Sequence, residues 1–232
     1  MKYPCRLDKF LSKAGHISRS DAKKHIKNKR VSVNSQTQTS AQFSVNESDK
    51  VSLDSKDLKL IEHHYFMLNK PIGYLSTEAE ANHPSALSLI DSPLKIHAAG
   101  RLDADTTGLL LLTSDGQWSH RVTSPNSKKF KDYRVSLADV VSDEDLLKLE
   151  QGLMLRGEDK LTLPAVTKRI NQKQIVLSIS EGRYHQVKRM CAAIGNKVVA
   201  LHREKVGEVT LEDKLQPGEY RELTETEIAS FN

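Results

Sequence analysis

The sequence predicts an α+β fold in which a small, basic N-terminal domain precedes a larger domain where strands outnumber helices. Three observations predict this fold. The chain has 232 residues, which suits one large domain or two modest ones. Residues 1–60 hold 13 Lys and Arg against 6 Asp and Glu, whereas the remainder holds 22 against 24. Beyond this point, short stretches that alternate between apolar and polar residues indicate strands. We therefore predict one domain over 1–60 and a second over 61–232.

The first domain is predicted to begin with two helices. Apolar residues recur at helical spacing over 6–14, and Gly15 fits the left-handed residue that ends such a helix. Ser18 fits the N-cap of a second helix, because its hydroxyl can accept a free backbone N–H. Within that helix, Ala22 and Ile26 share a face that is expected to point toward a core.

Short strands are predicted to complete the first domain. Val31–Val33 alternates like a half-buried strand, and a turn is expected at Asn34-Ser35. Val51 and Leu53 supply another strand. The polar residues 54–64 are predicted to form the linker between the domains.

The second domain reads as strands interrupted by a few helices. The predicted strands cover 65–68, 96–99, 108–112, 133–137, 175–179 and 197–201. The predicted helices cover 143–150 and 184–194, and the capping box Thr224–Glu227 opens a short final helix. In the first of these helices, Leu146, Leu147 and Leu149 are available for burial. In the second, Val187, Cys191 and Ile194 form one apolar stripe.

Composition excludes several classes of protein. Hydrophobic residues make up 38% of the chain, which is enough for a packed core. The apolar run Leu109–Leu112 is far shorter than the roughly 20 residues of a membrane helix, and no signal-peptide pattern opens the chain. Cys5 and Cys191 are too few for a disulfide scaffold or a zinc site. We expect a cytoplasmic protein with no membrane partner and no metal.

Positive charge is concentrated near the N-terminus. Residues 1–30 carry ten Lys and Arg but only two acids. A charged helix face is often merely solvated, yet this concentration favours a polyanionic partner, whose phosphates such residues can neutralise. The candidate nucleic-acid-binding residues are Arg6, Lys9, Arg19, Lys23, Lys24, Lys27 and Arg30.

A polar loop over 100–108 carries two carboxylates, Asp103 and Asp105, between two predicted strands. On spacing alone the favoured interpretation is an Asx turn. A catalytic carboxylate held by a rigid sheet, a metal site and a glycosidase pair remain open.

A second polar segment, 181–190, brings Arg183, Lys188 and Arg189 close together in sequence. These cations belong to a domain of slightly negative net charge, so they form a local positive patch. Such a patch is often a solvated helix face, but it can also pair a buried carboxylate or bind phosphates. Tyr133, on a predicted strand, is either a core residue or a stacking platform for a base.

Taken together, these motifs resemble the RsuA family of bacterial ribosomal RNA pseudouridine synthases. The matching blocks occur in the order Asn69-Lys-Pro-Ile-Gly73, Gly100-Arg-Leu-Asp103, Lys131-Asp-Tyr133 and Gly182-Arg-Tyr-His-Gln-Val-Lys188. Residues 6–53 resemble the αL RNA-binding domain that the family shares with a small-subunit ribosomal protein. Any one block is weak, but four in order behind such a domain are highly specific.

Two further segments resemble the enzyme that acts on the small-subunit RNA, namely Asp115-Gly-Gln-Trp-Ser-His-Arg121 and His202-Arg-Glu204. One departure is Asn34-Ser35, where the αL domain often has Asn-Gly. A type I′ turn would there lose its preferred glycine, which puts the local turn in doubt.

The resemblance implies an αL RNA-binding domain followed by a catalytic domain with a mixed, mainly antiparallel β-sheet and flanking helices. It implies isomerisation of a uridine of 16S rRNA, at uridine 516, in free RNA or a small-subunit assembly intermediate. No cofactor and no metal are implied, and we expect a monomer. The implied catalytic residues are Asp103, Tyr133 and Lys188, and the implied substrate-pocket residues are Arg101, Leu102, Arg183 and Leu201.

Each implied catalytic residue has a distinct role. Asp103 corresponds to the essential carboxylate, Tyr133 to the residue that stacks on the target base, and Lys188 to the basic partner of the carboxylate. Three alternatives compete with this prediction. They are a synthase for large-subunit rRNA, a non-catalytic αL-domain RNA-binding protein, and a carboxylate glycoside hydrolase that acts on a nucleoside.

Overall fold

The computed structural model of the chain describes residues 3–60, 62–77, 83–124 and 128–232. The chain divides into two compact units, Met1–His63 and His64–Asn232, and each unit has its own hydrophobic core. Ile61, in the predicted linker, lies outside the described residues. Within the described ranges, no helix combines the length and the apolar character that a membrane crossing requires.

The first unit packs two helices against short strands. Its elements are β1 Cys5–Arg6, α1 Leu7–Ala14, α2 Arg19–Lys27, β2 Val31–Val33, β3 Gln36–Thr37, β4 Ser44–Val45, β5 Val51–Leu53 and β6 Lys56–Leu58. An antiparallel sheet has the strand order β3-β2-β5-β6, and β1 pairs with β4. Leu7, Leu11 and Ile26 are buried in the core, as the helical spacing predicts. The Ser18 hydroxyl caps α2 by accepting the N–H of Asp21 at 3.1 Å.

Two local predictions in this unit were wrong. Gly15 is not left-handed, since its φ is −96°, and the next residue, His16, takes the positive φ of 48°. A glycine is still needed at position 15, because a Cβ there would lie 2.9 Å from the carbonyl oxygen of Leu11. The predicted linker also contains a strand, since β6 pairs with β5.

The turn at Asn34-Ser35 forms without a glycine. Both residues have positive φ, 50° and 66°, as a type I′ turn requires. The Asn34 side chain supports this conformation, because its oxygen accepts the N–H of Lys50 at 2.9 Å and its amide donates to Asp49 at 2.8 Å. Local side-chain hydrogen bonds therefore compensate for the missing glycine.

The second unit is built on a long mixed sheet. Its strands are β7 Tyr65–Lys70, β8 His97–Ala98, β9 Thr106–Thr113, β10 Lys131–Leu137, β11 Val166–Asn171, β12 Gln174–Ile179, β13 Val198–Val206, β14 Val209–Thr210 and β15 Tyr220–Glu222. Its α-helices are α3 Gly116–Thr123, α4 Asp143–Gln151, α5 Gln186–Ala193 and α6 Glu225–Ala229, and a 3-10 turn covers Ala86–Leu89. The strand order is β11-β12-β10-β13-β9-β7-β15. The pairs along this path are antiparallel except β13 with β9, which is parallel.

Helices cover the two faces of this sheet. Successive residues of β9 point to opposite faces, so Leu110 and Leu112 join one core while Leu109 and Leu111 join the other. The first core includes residues of α4 and α5, and the second is closed by Trp118 of α3. The continuous apolar run of β9 therefore reflects burial on both sides.

Two predictions for this unit need correction, and several of its elements were not predicted. Leu147 is not buried, since it is 54% exposed, whereas Leu149 two residues later is fully buried. The predicted helix over 184–194 begins only at Gln186, because the preceding His185 is left-handed. The helix α3 was missed although Asp115 caps it, with its carboxylate accepting two backbone N–H groups. The strands β11 and β15 were also missed.

Candidate active site

The loop that carries Asp103 is fixed by hydrogen bonds on both sides of that residue. The buried Ser76 hydroxyl accepts the N–H of Leu102 and donates to its carbonyl oxygen, both at 2.9 Å. On the other side, Thr106 N–H donates to the carbonyl of Asp103 at 3.1 Å. The backbone of Asp103 is thus held at the start of β9, while its side chain stays one-third exposed.

The Asp103 carboxylate is paired with Lys188 of α5. The Lys188 ammonium donates to Asp103 Oδ2 at 2.8 Å and to Asp105 Oδ1 at 2.6 Å. Burial lowers the pKa of Lys188, but the hydrogen bonds to the two carboxylates outweigh this effect and raise the pKa overall. The same hydrogen bond from Lys188 lowers the pKa of Asp105. The site therefore presents a carboxylate next to a lysine that stays charged at neutral pH.

His185 also reaches Asp103, although the sequence analysis did not single it out. Its Nε2 lies 3.3 Å from Asp103 Oδ1. His185 has φ 48° and ψ 36°, a left-handed conformation, immediately before α5. Its ring stacks on that of Tyr184, with ring centroids 3.8 Å apart. A regular helix from 184 would have directed this side chain elsewhere, so periodicity gave no signal for it.

Tyr133 lies on β10, opposite Arg203 of β13. Tyr133 is only 8% exposed, and Arg203 Nη1 donates to its hydroxyl at 3.5 Å. Arg203 is itself buried and donates from Nε to the carbonyl of Leu109 at 2.8 Å. Leu201, two residues earlier on β13, is also buried. Arg203 therefore helps to hold the Tyr133 side chain in place through this hydrogen bond. Alternation along the strand alone did not indicate this role.

A single cleft of about 690 Å³ joins these groups, a volume typical of a small-molecule or nucleotide site. The residues that the resemblance assigns to catalysis and to the pocket all line it: Arg101, Leu102, Asp103, Tyr133, Arg183, Lys188 and Leu201. Arg101 is exposed, and its guanidinium makes no hydrogen bond or ion pair with the described residues. Among those residues, no group of His, Cys, Asp or Glu could hold a metal ion.

Arg183 lines the cleft, but its donors are bound within the protein. It contacts Glu158 at 2.5 Å, Glu181 at 3.1 Å and the carbonyl of Leu161 at 2.6 Å. Arg189 binds the other oxygen of Glu158, also at 2.5 Å. Both arginines of the predicted positive patch thus bind the segment before β11. Of the three cations in that patch, only Lys188 contacts a carboxylate of the Asp103 loop.

Lys70 is the fully buried residue of the Asn69-Lys-Pro-Ile-Gly73 motif. Its ammonium donates to the carbonyls of Tyr74 at 2.8 Å, Pro71 at 3.0 Å and Ala104 at 3.5 Å. Burial lowers the pKa of Lys70 to about 8. Since Ala104 follows Asp103, this lysine connects the turn of the motif to the loop that carries the carboxylate.

The predicted basic residues of the first unit divide into paired and unpaired groups. Asp8 is fully buried and accepts from Arg6 at 3.0 Å and from Arg19 at 3.2 Å. Lys24 pairs with Asp21 at 2.8 Å, and Arg30 pairs with Asp54. The predicted residues that form no ion pair within the described part of this unit are Lys9, Lys23 and Lys27, and all three are exposed.

Comparisons with known proteins identify the family to which both units are similar. The RNA pseudouridylate synthase family model matches residues 64–193, and the S4 domain model matches residues 5–51. A protein of Escherichia coli K12 named "Ribosomal small subunit pseudouridine synthase A" is 49% identical over 97% of this chain and 99% of its own length. A Yersinia pestis protein of the same name is 47% identical over 97% of each chain.

A solved structure described as a pseudouridylate synthase is 46% identical to this chain. It superimposes with a TM-score of 0.71 and covers 98% of this chain and 99% of its own. Sequence and fold thus match over nearly the full length, in both units. The chain therefore belongs to the RNA pseudouridylate synthase family, and within it to the RsuA-type enzymes that join an S4 domain to this catalytic domain.

Proposed function

We propose that the protein isomerises one uridine of 16S rRNA, uridine 516, to pseudouridine while the small ribosomal subunit matures. The choice of RNA is supported by the similarity, over nearly the whole chain, to relatives named for the small ribosomal subunit. The reaction itself is supported by one observation above all, the Asp103–Lys188 pair in the cleft that Tyr133 also lines.

The chemistry of the reaction suits a carboxylate. The bond from the anomeric carbon to N1 of uracil breaks, the base turns, and a new bond forms to C5. The hydrogen at C5 leaves as a proton, and N1 takes up a proton in its place. A carboxylate can attack the anomeric carbon as a nucleophile, or it can remove the neighbouring sugar proton to give a glycal. Both routes need no cosubstrate, because the product is an isomer of the substrate. We assign this carboxylate to Asp103.

Lys188 compensates the charge of Asp103. Its hydrogen bond of 2.8 Å keeps an opposite charge beside the carboxylate when RNA fills the cleft and excludes water. Without Lys188, the carboxylate would be desolvated without the ammonium that binds it directly, which is a costly state for a charged group.

Tyr133 receives the target base. The uridine must leave its stack to reach Asp103, at a cost of a few kcal/mol. Stacking on an aromatic ring returns about 1–3 kcal/mol of this cost. The contact from Arg203 to the hydroxyl of Tyr133 holds the ring in place before the base arrives.

The direct test is the Asp103→Asn variant with 16S rRNA that carries tritium at C5 of its uridines. Formation of pseudouridine releases that tritium, so we expect the release to be abolished while the RNA is still bound. Asp105→Asn is the matched control, because it removes the other carboxylate bound to Lys188 but leaves Asp103 in place. Turnover near the wild-type rate in Asp103→Asn would refute the assignment.

Two further readouts separate the alternatives. Chromatography of the wild-type reaction identifies pseudouridine, whereas a nucleoside hydrolase would release free uracil. Mapping of pseudouridines in a strain that lacks the gene should show one missing position in 16S rRNA. A missing position in large-subunit rRNA would instead favour a large-subunit enzyme.

A further inference from the structure

A large aromatic ring stands exposed at the edge of the cleft. Tyr184 is 73% exposed, yet it is one of the residues that line the cleft. One face of its ring is covered by the imidazole of His185, at a centroid distance of 3.8 Å and an interplanar angle of 22°. The ring is therefore ordered by a neighbour but is not buried in a core.

The stack is connected to the catalytic carboxylate. His185 Nε2 lies 3.3 Å from Asp103 Oδ1, so the same imidazole contacts both the tyrosine ring and Asp103. His185 adopts a left-handed backbone conformation, which a residue with a Cβ rarely takes. Residues in such conformations persist only where the surrounding structure fixes them, and they cluster at active sites and ligand-binding sites. Here one imidazole in this conformation contacts both Tyr184 and Asp103.

We propose that the Tyr184–His185 stack is a binding platform for the nucleobase next to the target uridine. When that uridine leaves the RNA stack, its neighbour loses a stacking partner. The exposed ring of Tyr184, which stacks on the imidazole that contacts Asp103, offers a replacement surface. Because every base has an aromatic face, such a platform stabilises the bound RNA with little dependence on the identity of that base.

Preorganisation strengthens this contact. A free tyrosine side chain would lose conformational entropy on stacking with a base, whereas Tyr184 is already ordered against His185. The contact forms only when the neighbouring base is at the cleft, so it contributes to binding of the RNA more than to the chemical step. Tyr184 is thus a residue that contributes to KM, and Asp103 is the residue that contributes to kcat.

The inference rests on the proposed function, so the experiment first measures tritium release by the wild-type protein from 16S rRNA labelled at C5 of uridine. No release would overturn the proposed function and the platform with it. With release established, kcat and KM are compared for Tyr184→Ala, Tyr184→Phe and a control, Phe130→Ala. Phe130 is 43% exposed and lies outside the described lining of the cleft.

We expect Tyr184→Ala to raise KM about 5- to 150-fold, the range expected for the loss of one base–aromatic stack, with a much smaller change in kcat. Tyr184→Phe keeps the ring and should restore a KM close to that of the wild type. Phe130→Ala should not reproduce the increase. Wild-type KM in Tyr184→Ala, or an effect confined to kcat, would overturn the platform while leaving the proposed function intact.

A second readout reports stacking directly. Two RNA fragments are prepared, each with 2-aminopurine at one of the two positions next to the mapped uridine. The fluorescence of 2-aminopurine is quenched when the base stacks. We expect quenching at one of the two positions with the wild type and with Tyr184→Phe, but not with Tyr184→Ala. Equal quenching with Tyr184→Ala would overturn the proposal.

Discussion

Replacing Gly108 by alanine should damage both stability and catalysis, because β9 and β13 approach each other closely at this residue. Gly108 has φ 101°, and a Cβ there would lie 2.3 Å from the carbonyl oxygen of Arg203 and 2.8 Å from its nitrogen. Ordinary van der Waals contact begins near 3.4 Å. The backbone of Arg203 would therefore have to retreat by about 1 Å, and no flexible side-chain end is available to absorb the clash.

Two costs add up in Gly108→Ala. A residue with a Cβ at a positive φ is strained by about 1–3 kcal/mol, and overpacking against a backbone costs a further 1–3 kcal/mol or so. We thus expect the free energy of unfolding to fall by about 2–6 kcal/mol. The displacement also reaches the cleft, because Arg203 contacts the hydroxyl of Tyr133 and the carbonyl of Arg101. A shift of about 1 Å in such a site can lower kcat about 10²-fold.

Urea unfolding and tritium release measure these two effects. Gly116→Ala is the matched control, because a Cβ at this first residue of α3 meets nothing within 4 Å and its φ is not in the left-handed region. That control should keep its activity and gain up to about 1 kcal/mol of stability. If Gly108→Ala is as stable and as active as Gly116→Ala, then the close approach of β9 and β13 does not make glycine necessary at position 108.

Three further predictions concern charges. The double variant Lys23→Ala, Lys27→Ala should bind rRNA with a smaller dependence of log affinity on log salt concentration. The magnitude of the slope should fall by about 1 for each phosphate that is no longer neutralised. Lys24→Ala is the control, and it should change the slope less because the Lys24 ammonium is already paired with Asp21. Asp8→Asn should cost about 1–3 kcal/mol at neutral pH. Hydrogen bonds from two arginines lower the pKa of Asp8 in the folded state. This difference should therefore shrink as the pH falls below the ordinary pKa of 3.8 and vanish below the lowered pKa, and a difference in urea midpoint that stays constant would contradict it. Lys70 has its pKa lowered from 10.5 to about 8 in the folded state, so the unfolded state binds more protons between these values. The unfolding free energy of the wild type should therefore rise relative to Lys70→Met by up to about 3 kcal/mol across that pH range, and a constant difference would refute it.

The sequence predicts the parts of the fold that depend on local pattern. The helices α1 and α2 follow from apolar spacing and the Ser18 cap, and both were predicted. The strand β11 was missed because most of its residues are exposed, which leaves no alternation to detect. The parallel pairing of β9 with β13 joins residues almost a hundred positions apart, so no local pattern of the sequence predicts it.

The candidate site was predicted only in part, for a similar reason. Motif resemblance identifies Asp103 and Lys188, and these two side chains are indeed in contact in the structure. It does not identify His185, since helical periodicity from 184 places that residue on the face of Arg189. A single left-handed residue rotates the side chain toward Asp103. The role of buried Arg203 could not be predicted either, because in the sequence it is one residue of an alternating strand. Its partners, Leu109 and Tyr133, lie far away along the chain.

Ion pairing shows which positive charges are available to RNA. The first 60 residues carry a net charge of +7, but four of the seven predicted binding residues are paired with acids of the same unit. In the second unit, Arg183 of the cleft and Arg189 of α5 both pair with Glu158, so their charges are used within the protein. We therefore expect the exposed, unpaired lysines of the first unit to supply the salt-dependent affinity for RNA. At the cleft, we expect the aromatic rings of Tyr133 and Tyr184 to contact the target base and its neighbour, beside the exposed cation of Arg101.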